Sequence, residues 1–132
     1  MPKLRPKLAA IVVSSLLLAA VLGATTGIAA AGSRSTLYPG LNLLGGPLYD
    51  SLPPQDYLAC LPSGSWRAIY LWDAATQTWQ HYFNTSLGIP PYVNRTDLGG
   101  IQLIPQAAGL WIIMVQQVNN PKVKDLASEP CS

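Results

Sequence analysis

Apolar residues in this chain fall into one long block followed by several short runs. The block extends without a charge from Leu8 to Ser33 and is densest in Leu, Val and Ala between Leu8 and Leu22; Lys3, Arg5 and Lys7 precede it. It closes on Ala29-Ala30-Ala31, with Ala29 and Ala31 supplying the small residues a signal peptidase inspects. Residues 1–31 therefore read as a signal peptide cut after Ala31. The competing reading is a retained membrane anchor over residues 8–28, because the uncharged stretch approaches the ~20 residues that a span requires. Gly23, Thr25, Thr26 and Gly27 dilute its second half, and no cysteine stands at its end to receive lipid. Either reading puts the remainder outside the cytoplasm, secreted or at the cell surface.

Beyond residue 31 the apolar runs shorten and Gly and Pro punctuate them. Residues 32–38 read as a polar linker and residues 39–132 as a single domain. Leu41–Leu44, bounded by Pro39-Gly40 and Gly45-Gly46-Pro47, suits a strand. Residues 51–61 predict the one short helix, with Ser51 as cap and Pro53 and Pro54 in its first turn. Leu52, Tyr57, Leu58 and Leu61 would form its apolar side, and Cys60 lies on it.

The strongest alternation runs from Trp66 to Phe83. Trp66, Ala68, Tyr70 and Trp72 fall on one face of a strand, with Ile69 and Leu71 on the other. Asp73 suits the start of a turn, because its carboxylate accepts nearby backbone N–H bonds. A second strand alternates Trp79, His81 and Phe83 against Thr78, Gln80 and Tyr82, which makes an aromatic-rich hairpin. Residues 84–100 are irregular. Ile101–Ile104 predict another short strand. Leu110–Val118 are almost continuously apolar and predict a central strand covered on both faces. Lys122–Leu126 predict a polar edge strand. The fold class that follows is all-β: a small antiparallel sandwich or partly open barrel with one short helix near 52–61.

Charge changes the picture once the signal is set aside. The whole chain has eight basic and six acidic residues, a formal +2. Without Lys3, Arg5 and Lys7, five cations face six acids, giving −1. No basic surface remains to neutralise phosphates, so nucleic acid is excluded as a partner. Membrane association is expected only if the N-terminal segment is uncleaved. The two cysteines, Cys60 and Cys131, are expected to pair in an oxidising compartment. With one histidine and no CxxC spacing, neither a metal nor another cofactor is expected.

Gly40-Leu41-Asn42-Leu43-Leu44-Gly45 resembles the opening "G-W-N-L-V-G" strand of a small module of bacterial secreted and surface proteins, with Leu41 where that module has Trp. Trp72-Asp73, Trp79 and Gly109-Leu110-Trp111-Ile112, which resembles "G-Y-W-I", follow in the module's order. The resemblance covers Tyr38 to Val118. It implies an exported accessory domain without catalytic residues, and a bacterial host in which the sequons at Asn84 and Asn94 are chance.

Few residues offer chemistry. His81 is the sole histidine, but no Gly-x-Ser-x-Gly elbow frames a nucleophile such as Ser65 or Ser86, and a half-buried structural role is the expectation. Asp50, Asp56, Asp73 and Asp97 each adjoin turn-forming residues, which suits caps better than a glycosidase pair. Asn94, Thr96 and Asp97 lack a calcium-loop spacing. The aromatics Trp66, Tyr70 and Trp72 are the candidate ligand-stacking residues, weighed against a role in the core; Tyr82 and Tyr92 are expected to be more exposed than the tryptophans. The expected function is a non-enzymatic extracytoplasmic structural or protein-interaction module, with an unknown protein or glycan partner. A carbohydrate-binding module with an aromatic platform is the alternative, and a small secreted hydrolase ranks below both.

Overall fold

A computed structural model describes residues 36–131. The signal or anchor, with Ala29 and Ala31, lies outside them. The chain forms β1 (Thr36–Leu37), β2 (Gly40–Gly45), α1 (Pro54–Tyr57), β3 (Trp66–Asp73), β4 (Thr78–Phe83), β5 (Gly109–Met114) and β6 (Val118–Asn119). Three short 3-10 turns fill Thr85–Leu87, Pro91–Asn94 and Thr96–Leu98. All strand pairs are antiparallel: β1 with β6, and a four-stranded sheet in the order β2-β5-β3-β4. The fold is therefore the expected all-β one, a small open sandwich with, among the described residues, one short helix and no closed barrel.

Period-two alternation sends one side of the large sheet into the core. Ile69 and Leu71 of β3 pair with Ile112 and Leu110 of β5, and all four are buried. Leu37 of β1, Leu52, Tyr57, Leu58, Leu61 and Ile104 close over them. Asn42 is buried on this side of β2. Its side chain accepts from Tyr38 N and donates to the carbonyls of Tyr38 and Gly40, which locks the reversal from β1 into β2.

Several expectations are corrected. The end of the expected linker is β1, where Leu37 is fully buried. The helix is one turn long, starts at Pro54 and has no side-chain cap; the Ser51 hydroxyl instead accepts from Gln106 N. Leu52 meets Ile104 in an isolated bridge, so the strand expected at Ile101–Ile104 does not form. The Leu110–Val118 run breaks after Met114 and resumes as β6. Lys122–Leu126 form no strand; Lys124 N donates to Tyr57 O and Asp125 accepts from Leu48 N. The Lys124 backbone and the Asp125 carboxylate thus bond to α1 and to the loop at Leu48 rather than to a sheet edge.

The sheet's two edges differ. At β4, His81 N donates to Gly99 O, Ile101 N donates to His81 O, and the Asn94 side chain bonds both N and O of Phe83. Residues 81–83 are thus sealed. At β2, Gly46 N donates to Ala108 O at the end of the β2–β5 ladder. Antiparallel bonding alternates, so Asn42 and Leu44 bond to β5 while Leu41 and Leu43 turn their N–H and C=O outward.

Cys60 and Cys131 are joined, with Cα atoms 5.2 Å apart. A stable disulfide fits an oxidising, extracytoplasmic environment. Among the described residues, no helix is long and apolar enough to cross a membrane.

Two outcomes follow. Cys131→Ser should lower unfolding free energy by about 4 kcal/mol, because the bond closes a 71-residue separation; denaturant titration checks this. Burial, and secondarily the Asp125 carboxylate, push the Tyr57 hydroxyl far above its ordinary value near 10. The unfolded chain therefore releases this proton at a lower pH than the folded one, so stability is full below about pH 10 and falls as pH rises beyond it. Tyr57→Phe should flatten that alkaline decline. It should also cost about 1 kcal/mol at neutral pH by removing the bond to Gly45 O.

Candidate functional site

The side of the large sheet away from the core is also apolar. β2 presents Leu41 and Leu43 there, and β5 presents Trp111 and Ile113, which lie across from them. β3 adds Ala68, Tyr70 and Trp72, paired with Phe83, His81 and Trp79 of β4. None of these ten positions carries an acidic side chain, a lysine or an arginine. Leu41 is 61% exposed, Trp79 52%, Trp72 43% and Trp111 37%. The expectation that β5 is covered on both faces therefore holds for its core side alone.

Aromatic contacts organise this face. Trp72 and Trp79 meet edge to face, with ring centroids 5.2 Å apart. Tyr70 and Phe83 do the same at 6.4 Å, and His81 lies against Phe83 at 5.0 Å. Such pairs hold rings in fixed orientations at about 0.5–1.5 kcal/mol each. Leu41, Tyr70, Trp79 and Trp111 surround an open hollow of about 390 Å³ that crosses all four strands. Its side-chain hydrogen-bonding groups are one phenol and two indole N–H groups.

Tyr70 and Trp72 of the sequence-predicted stacking residues stand on this face, but Trp66 does not. The register of β3 against β5 shifts between Trp66 and Ala68, a β-bulge that turns Trp66 to the core side opposite Met114. Asn84 holds the bulge: its N–H donates to Arg67 O and its side-chain amide to Trp66 O, both at 2.8 Å. Trp66 is consequently buried and stacks on Tyr82 at 6.2 Å. Tyr82 is only half-buried and burial raises its hydroxyl pKa. The exposed aromatics are Tyr38, Tyr49, Trp72, Trp79, Tyr92 and Trp111, so Tyr92 is more exposed than every tryptophan, as expected, whereas Tyr82 exceeds only Trp66. Leu41, Trp79 and Trp111 were readable as outward by parity, but parity does not say which of two apolar faces is covered.

The remaining polar candidates bond locally. His81 Nε2 lies 2.7 Å from Val93 O, so that nitrogen carries the proton and donates. Asp73 accepts from Ala75 N and Thr76 N, the expected turn. Asp97 forms the Arg95 ion pair at the surface, and Asn94 is spent on Phe83. Asn84 accepts from Ser86 N and Oγ as well as holding the bulge. Both sequon amides are therefore engaged in the folded domain. Among the described residues, no three His, Cys, Asp or Glu side chains converge to hold a metal.

No protein-family model, curated protein or solved structure matches this chain.

Asn84→Ala should destabilise the domain by about 1–3 kcal/mol, since it strands the Trp66 carbonyl at a buried site. Chemical denaturation followed by near-ultraviolet circular dichroism checks this and should also report a changed Trp66 environment.

Proposed function

We propose that this chain is an exported, non-enzymatic module that binds a partner protein through the bare face of its four-stranded sheet. The observation that carries this reading is the set of outward positions without a formal charge, five of them large aromatics, on strands rather than loops. A contiguous apolar patch of several hundred Å² marks an interaction surface. Exposed tryptophans on a rigid scaffold are the side chains that contribute most at such surfaces. The hollow offers few hydrogen-bonding groups, whereas sugar hydroxyls demand many, so an apolar protein surface is the better fit than a glycan. The N-terminal segment and the disulfide support secretion or display at the cell surface. The resemblance to the bacterial surface module points the same way, since Gly40–Gly45 and Gly109–Ile112, which carry it, are adjacent strands of this sheet.

A benzophenone amino acid placed at position 79 in exporting cells should give discrete covalent adducts on illumination. The same group at Gln55, which is exposed outside the large sheet, should not. Equal labelling from both positions would remove the face from consideration. A saturable tryptophan fluorescence shift on titration with a polysaccharide would move the function to glycan binding.

A further inference from the structure

The large sheet has a core on one face and nothing from the described residues over the tryptophans of the other. We propose that this face is covered by the same face of a second copy, forming a two-fold symmetric, face-to-face dimer. The inference rests on the reading of this face as an interaction surface, and names its occupant.

Area is the first argument. The exposed parts of Leu41, Leu43, Trp72, Trp79 and Trp111, at 61%, 45%, 43%, 52% and 37%, together with the half-buried rings between them, amount to about 600 Å². Two such faces bury about 1,200 Å², the lower bound of specific, stable interfaces. A single copy would instead leave to water a patch at the upper end of what monomers expose.

Charge is the second. In an isologous interface each residue meets a residue of the identical patch, so a charged face must supply its own opposite sign. The ten outward positions have no formal charge to match and dock on their own image without a like-charge contact. Nothing at them selects a partner of either sign.

Shape is the third. The two most exposed of these side chains, Leu41 on β2 and Trp79 on β4, stand at opposite edges of the sheet with the 390 Å³ hollow between them. A ridge and a hollow on the same face are what two identical sheets need to interdigitate at the usual spacing of about 10 Å.

The test is sedimentation equilibrium of the protein as recovered after export, with Trp79→Glu and, separately, Leu41→Lys. The wild type should sediment at twice its chain mass. Each substitution should weaken self-association by about 30-fold or more, the cost of a hot spot, with far-ultraviolet circular dichroism unchanged. Leu41→Lys serves if Trp79→Glu does not fold. The benzophenone adduct from position 79 should have twice the chain mass. A dimer insensitive to both substitutions overturns the inference, because it forms elsewhere. A monomer whose position-79 adduct contains a different component also overturns it, yet leaves the interaction reading standing. A monomer with no adduct ends both.

Discussion

The β-bulge between Trp66 and Ala68 decides which aromatics this domain hides and which it shows. A regular strand would carry Trp66 on the same side as Tyr70 and Trp72. One extra residue in β3 breaks that parity and sends the indole inward, where it stacks on Tyr82 and faces Met114. Asn84 binds the carbonyls on both sides of the bulge, Arg67 O with its backbone and Trp66 O with its side chain. The core on one side and the tryptophan surface on the other thus share a single polar anchor. Unmet buried carbonyls are costly, so the anchor is structural in the strict energetic sense.

This arrangement explains which parts of the sequence were legible. Alternation from Trp66 to Phe83, the Asp73 turn and the glycine brackets around β2 are local signals, and each produced the expected element. The bulge depends on Asn84, 18 residues from Trp66, and no local pattern announces such a partner. The Ile101–Ile104 run was misleading for a related reason: its backbone found single partners in Leu52 and His81 rather than a ladder. The bare face was half-legible. Parity sorts β5 into Leu110, Ile112 and Met114 against Trp111 and Ile113, but both sets are apolar, and only tertiary packing assigns one to the core.

Polar groups that looked chemical in the sequence are consumed by the fold. His81 gives its ring proton to Val93 and its backbone to Gly99 and Ile101; Asn94 and Asn84 mimic missing strand neighbours. Gly100 permits this, since a Cβ there would collide with the Asn94 carbonyl. The loop from residue 84 to 101 therefore acts as a fifth strand made of fragments. What it leaves facing water on the large sheet is apolar and held in place by aromatic contacts.

The unequal edges of the sheet bear on how far such chains can assemble. A strand with free backbone groups at both edges of a sheet invites endless addition, the route to fibres. Here Leu41 and Leu43 leave one edge open while the loop seals the β4 edge from His81 to Phe83. Pairing along β2 would occupy these open groups and leave the sealed stretch of β4 outermost. The stretch of β4 from His81 to Phe83 is therefore closed to strand addition by the protein's own loop.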